Sequence, residues 1–242
     1  MHSPTEISFF ALSIAALPVG LLLLIYLLWA QNIRQVILAL TRMCLQLVAV
    51  GYVLLTLFDA DHFLWVAAMM LVMVSAASWI ALGPVKQYRR ILLPVSFVAT
   101  LVAATAVLLV IVFGTLSPEP WYAANIWIPI AGMLYGNTMN AISLAAERFT
   151  SELERGRSYI ASRNKAFNTA LIPALNGMLS VGLVSLPGMM TGQVLSGVSP
   201  LIASRYQLVI MLAIFAAAGL AVALFLQLLK TRLGQLSPRQ SD

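Results

Sequence analysis

Asn137, Asn140, Asn176 and Gln193 are the residues of this chain most able to do chemistry, because each stands inside a long apolar run. An amide in a lipid environment needs a hydrogen-bond partner or a hydrated path. Interhelical hydrogen bonding and a polar translocation path both meet that need, and the two can coexist. Arg42 stands four residues before Gln46, on the same face of a helix. Arg42 either snorkels to the membrane interface or faces a polar path or partner helix together with Gln46. Carboxylates are missing where they would matter for coupling to protons or sodium. Glu6, Asp59, Asp61, Glu119 and Glu147 stand at the edges of apolar runs, and Glu152, Glu154 and Asp242 in charged segments. Catalysis finds no support either. Ser75, Ser78, Ser143, Ser180 and Ser185 have no base nearby in sequence, so no catalytic residue is assigned. Asp59, Asp61 and His62 read as a solvated loop, His2 stands alone, and no metal site is expected. The lone Cys44 allows no intrachain disulfide. Met189 and Met190 read as apolar packing; as soft donors they suit copper(I) better than iron(II).

The elements that position these groups follow from composition. Of 242 residues, 61% are apolar and 9% charged. A spanning helix needs roughly 20 apolar residues, and about seven such runs follow one another. The expected fold is all-α: a polytopic membrane protein of about seven transmembrane helices. The runs are about Ile7–Trp29, Met43–Phe58, Phe63–Leu82, Ile91–Thr115, Ile126–Ala145, Ala166–Leu195 and Tyr206–Leu229. The first lacks the basic start and small-residue cleavage site of a signal peptide, and is kept as a mature span. The sixth contains Pro173 and Pro187, which remove backbone donors, and several glycines, so it is expected to be broken. Gly132 with Gly136, and Gly188 with Gly192, form GxxxG pairs that suit close helix packing. The whole chain reads as a single transmembrane domain, with residues 147–165 as a cytoplasmic segment.

Charge sets the orientation. The net charge is +6, but the cations sit in loops between apolar runs, where they orient the chain rather than bind nucleic acid. Arg34, the Lys86/Arg89/Arg90 cluster, the Arg148–Lys165 segment and Lys230/Arg232/Arg239 alternate with loops that hold Asp59, Asp61 and Glu119, and only one cation, Arg205. With seven spans, every basic cluster falls on one side. The N-terminus is then outside and the C-terminus cytoplasmic.

Several strings carry a family resemblance. They are Gln46-Leu47-Val48-Ala49-Val50-Gly51-Tyr52, Pro129-Ile130-Ala131-Gly132-Met133 with Gly136-Asn137, and Ala170-Leu171-Ile172-Pro173. The most specific is Val181-Gly182-Leu183-Val184-Ser185-Leu186-Pro187-Gly188-Met189-Met190-Thr191-Gly192-Gln193. From about Arg34 to Leu229 the chain resembles the FetB-like permease subunits of iron-export ABC transporters. The resemblance implies an inner-membrane (plasma-membrane) permease that works as a homodimer with a separate ATP-binding subunit. ATP would be used by that partner, and this chain would bind no cofactor. In agreement, no G-x-x-x-x-G-K-[ST] phosphate loop is present. The family also includes plant permeases linked to aluminium tolerance, so fold alone does not name the substrate.

One segment departs from the family. Its members usually have a longer cytoplasmic stretch with a Leu-Gly-Ala-Thr-Pro-like string that docks on the ATPase. Here Glu152-Leu153-Glu154-Arg155-Gly156-Arg157 runs quickly into Asn164-Lys165-Ala166-Phe167, and the string is absent. Two readings follow: a solvated loop, or a shortened coupling segment whose Glu152, Glu154, Gly156 and Arg157 meet the ATPase. The functional expectation is an ATP-driven metal permease, with an uncoupled accessory or scaffold protein as the alternative.

Overall fold

The computed structural model describes residues 8–29, 31–58 and 62–232. His2, Glu6, Asp59, Asp61, Arg239 and Asp242 lie outside the described residues. Among those described, the chain is helical without a β-strand. It divides into two compact units, Met1–Ala60 and Asp61–Asp242.

The first unit holds α1 (Phe9–Leu28) and α2 (Ile33–Phe58), which pack on each other. The Ser8 side chain caps α1 by accepting from the Ala11 N–H at 3.2 Å. Pro18 lies inside α1, where a membrane helix tolerates it.

In the second unit, α3 (Phe63–Ala81) is capped by His62, whose Nδ1 accepts from the Leu64 N–H at 3.3 Å. After a tight connection come α4 (Arg89–Ala99) and α5 (Thr105–Ile111), joined by a π-helical turn at Thr100–Ala104 and followed by another at Val112–Leu116. The helix therefore continues past Pro94. Then follow α6 (Ala124–Glu154), α7 (Tyr159–Ser180), α8 (Gly188–Leu195) and α9 (Pro200–Leu229). Pro200 opens α9 at a position that needs no N–H.

α6 is the hub, packed against α3, α7 and α9. The shared core is rich in alanine: Ala141, Ala145 and Ala146 of α6, Ala166 and Ala170 of α7, and Ala218 and Ala221 of α9. Without a hydrophobic drive inside lipid, close approach of small side chains is what binds helices. Phe149, Phe225 and Leu92 fill the remaining space.

Among the described residues, five helical stretches are long and apolar enough to cross a bilayer: Phe10–Leu28, Ile33–Leu57, Phe63–Ala81, Lys86–Leu116 and Pro200–Arg232. The other two expected spans fall on α6 and α7, whose asparagines, arginines and glutamates dilute their apolar character. α6 also runs on to Glu154 and α7 begins at Tyr159, so most of the segment 147–165 is helix rather than loop. Of the two prolines in the sixth apolar stretch, only Pro187 stands at an interruption. α7 is continuous through Pro173. The interruption comes at residues 181–187, where Gly182 takes φ +82° and its N–H donates to the Ser185 carbonyl at 3.0 Å. Pro187 then stands as the residue capping α8.

Two ends of this unit differ in character. At one, Tyr88 donates its hydroxyl to Glu154 Oε1 at 3.2 Å, and Tyr159 donates to the Leu226 carbonyl at 2.9 Å. These bonds join the Lys86–Arg90 stretch, the α6–α7 turn and the end of α9, which carry the basic clusters. At the other, Phe63, Phe113, Trp121 and Trp127 form an aromatic group, and the Trp127 indole N–H donates to the Trp121 carbonyl at 2.7 Å. Aromatic side chains of this kind suit the membrane–water interface.

Candidate functional site

A cleft of about 280 Å³ opens among α6, α8 and α9. Its donors are Asn125 and Met133 of α6, Met189 and Gln193 of α8, and Tyr206 of α9, set among Pro129, Ile130 and Ile210. Gln193 Oε1 is shielded from solvent and accepts no hydrogen bond. A buried acceptor without a partner is costly and marks a place where a ligand or water belongs.

Backbone chemistry adds to the cleft. Pro129 has no N–H, so the Asn125 carbonyl lacks its normal helical donor. The short α8 owes its position to the turn at 181–187, which re-aims the chain after α7. Four further buried oxygens have no partner: Thr100 Oγ1 in the π turn after α4, Thr138 Oγ1 of α6, Ser162 Oγ of α7 and Gln207 Oε1 of α9. Their helices pack on one another.

The chemistry open to the cleft is narrow. It offers amide oxygens, a freed carbonyl, thioethers and a phenol, and no formal charge. Among the described residues no group of three or more His, Cys, Asp or Glu side chains is poised to hold a metal. Neutral donors replace part of a hydration shell without holding a cation tightly, which suits passage rather than storage.

The other expected path residues are not among those that line this cleft. Asn137 is exposed on α6, one turn from Met133, and its Nδ2 donates to the Met133 carbonyl at 2.8 Å. Asn140 on α6 and Asn176 on α7 are exposed. Arg42 and Gln46 are exposed on α2, in the first unit. Neither Asn125 nor Tyr206 is among the path residues expected from sequence. Asn125 is legible as the residue four before Pro129, and Tyr206 only as the start of the seventh apolar run.

The glycine pairs behave unequally. A Cβ at Gly132 would meet Met73 Cε at 3.3 Å, so this glycine does pack against α3. Gly136, Gly188 and Gly192 have open space where a Cβ would go.

At the opposite end, Glu152 is buried, with Arg148 Nη2 at 2.7 Å and Arg155 Nη1 at 3.7 Å. Glu154 receives the Tyr88 hydroxyl. Gly156, at φ +74°, and Arg157 form the exposed turn into α7. Both carboxylates expected to reach an ATPase are thus engaged within the chain.

Comparison with known proteins places this geometry in context. The model of an uncharacterised protein family, UPF0014, matches residues 9–233. A UPF0014 membrane protein of Synechocystis is 36% identical over 188 residues, 70% of this chain and 71% of that protein. The probable iron export permease protein FetB of Escherichia coli is 31% identical over 204 residues, 78% of this chain and 77% of its own. The protein ALUMINUM SENSITIVE 3 of Arabidopsis thaliana is 29% identical over 219 residues, 81% and 77% of the two chains. No solved structure matches.

Proposed function

The chain belongs to the uncharacterised protein family UPF0014, and from that premise we propose that it is the membrane-spanning permease subunit of an ABC-type transporter that exports iron or another metal. A separate ATP-binding subunit supplies the energy, and two copies of this chain form the membrane part. Seven spans cross the inner membrane: the five apolar stretches together with α6 and α7. At 31 and 22 residues, α6 and α7 are about 46 Å and 33 Å long, enough for a core of about 30 Å. The N-terminus is outside and the basic end of the second unit is cytoplasmic. The translocation path passes the neutral cleft near the aromatic end and continues along the amides of α6.

The observation that carries this reading is the cleft itself. Gln193 presents a buried, unpartnered oxygen beside Met133, Met189 and the proline-freed Asn125 carbonyl. The name of the Escherichia coli relative supports iron export, and that of the Arabidopsis relative supports a role in tolerance of a metal. A second reading, an accessory subunit no longer coupled to an ATPase, is favoured by one observation: Glu152 and Glu154 are already engaged inside the chain.

One experiment separates them. Wild type and an Asn125→Leu/Gln193→Leu double variant are purified and tested for a co-purifying ATP-binding subunit. In parallel, cells are challenged with iron and with copper. The expected result is an ATP-binding subunit on both proteins and loss of metal tolerance in the variant alone. Tolerance unchanged in the variant would remove the cleft from the path. A wild type that retains no ATP-binding subunit would favour the accessory reading.

A further inference from the structure

The turn from α6 to α7 encloses a second cleft, of about 710 Å³, lined by Arg148, Glu152, Arg155, Gly156, Arg157 and Lys165. Four cations face one carboxylate, so the lining carries 4 − 1 = 3 surplus positive charges. The carboxylate is used internally, since Arg148 and Arg155 both pair with Glu152. Glu147 and Glu154 are not part of the lining, and Glu154 accepts the Tyr88 hydroxyl. Arg163, a further cation nearby, donates to Asn164 Oδ1 at 2.9 and 3.1 Å. Arg148 Nε is buried with no acceptor. Arg157 and Lys165 are exposed.

The cations also stand at a particular depth. The apolar run carried by α6 ends at about Ala145 and the one carried by α7 begins at about Ala166, so Arg148 lies three residues beyond the first and Lys165 directly precedes the second. Three residues of helix rise about 4.5 Å. The headgroup layer is roughly 5–7 Å thick on each side of the hydrocarbon. With α6 and α7 crossing the bilayer, Arg148 and Lys165 fall within the headgroup layer, and Arg155 and Arg157 line the same cleft from the turn. Guanidinium groups match phosphate oxygens in geometry as well as charge. Basic pockets between spanning helices take anionic headgroups for this reason.

We infer that this cleft binds the phosphate headgroup of an anionic membrane lipid. The inference rests on the reading that α6 and α7 cross the bilayer. A bound headgroup would hold the α6–α7 turn against the membrane surface and neutralise the cationic surplus that the single buried glutamate leaves.

The full chain, purified in detergent with equal amounts of phosphatidylglycerol and phosphatidylcholine, provides the test. Retained lipid is measured by mass spectrometry. Wild type should keep phosphatidylglycerol in clear preference. Arg157→Glu with Lys165→Glu should lower its retention about tenfold, and the milder Arg157→Gln with Lys165→Gln by less. Lys86→Glu with Arg90→Glu, outside the cleft, should leave most of it. Monodisperse elution shows that each variant is folded. Inorganic phosphate should not displace the lipid; displacement would reassign the cleft to a soluble phosphate and overturn the proposal. Equal retention of both lipids, or retention indifferent to the cleft substitutions, would also overturn it. Loss of an ATP-binding subunit with lipid retention unchanged would make the cleft a protein-docking site instead. Thiol labelling of Arg157→Cys in intact cells reports separately whether α6 crosses the membrane. A chain that crosses but keeps no anionic lipid sinks this inference alone.

Discussion

Glu152 and Glu154 are two residues apart and do different work. Glu152 is buried and bridges Arg148 and Arg155; Glu154 is exposed and accepts one hydrogen bond from Tyr88. Removing one partner of a fully buried ion pair typically costs about 3–5 kcal/mol, because the other charge is left unpaired. The Arg148 side chain retains 28% exposure, so water screens part of that loss, and about 1–3 kcal/mol is expected. Glu154→Ala should cost less than about 1 kcal/mol, the worth of one exposed hydrogen bond. Thermal unfolding in detergent should thus show a clear fall in Tm for Glu152→Ala and a small one for Glu154→Ala. Equal effects would mean that the bridge around Glu152 does not stabilise the turn. From sequence both glutamates belong either to a solvated loop or to a shortened coupling segment that meets an ATPase. Their spacing fits a helix, but spacing alone does not say that the helix continues there.

At the scale of elements, helix packing depends on which small residues meet. GxxxG drew attention to glycine, yet the close contacts of α6, α7 and α9 are made by alanines. Gly132 and Gly136 lie on the same helix and offer a direct comparison. Gly132→Leu must displace Met73, whose Cε stands 3.3 Å from the new Cβ position. Such overpacking should cost about 1–3 kcal/mol. A Cβ at Gly136 meets nothing within 4 Å, so Gly136→Leu should cost the single chain far less than Gly132→Leu. If a second copy packs on this open face of α6, Gly136→Leu should instead shift the oligomer towards monomer by size-exclusion with light scattering. A loss of single-chain stability in Gly136→Leu equal to that in Gly132→Leu would contradict this account. The continuity of α7 through Pro173 belongs at this scale too. A proline removes one hydrogen bond, but neighbouring helices in a membrane bundle can support the helix past it. The turn at 181–187 is where backbone direction actually changes, helped by the positive φ of Gly182.

For the whole molecule, the decisive question is which membrane face carries the basic end. Hydrogen bonds from Tyr88 to Glu154 and from Tyr159 to Leu226 bring three basic segments of the second unit together. The Glu119 loop lies between the α5 end of the long helix and α6, beside the aromatic group. In a Cys44→Ser background, Glu119→Cys should react with an impermeant thiol reagent in intact cells, and Arg157→Cys only after permeabilisation. Labelling of both from outside would end the proposed crossing of α6. The reverse pattern would invert the protein in the membrane.

Much of this protein was determined by sequence alone. Long apolar runs require helices in lipid, because only there can every backbone group be satisfied internally. Family membership was legible in the string from Val181 to Gln193, and the absence of intramembrane carboxylates limited the chemistry in advance. Tertiary structure decided which of the polar residues meet. Gln193 shares a cleft with Asn125, Met133 and Tyr206, whereas Asn140 and Asn176 stay on exposed faces. It also decided that Glu152 is buried among arginines and that three of the four glycines leave open space. The physical reason is that polarity and periodicity are local properties of a chain. Which helix face turns inward depends on neighbours far away in sequence, and no single helix carries that information.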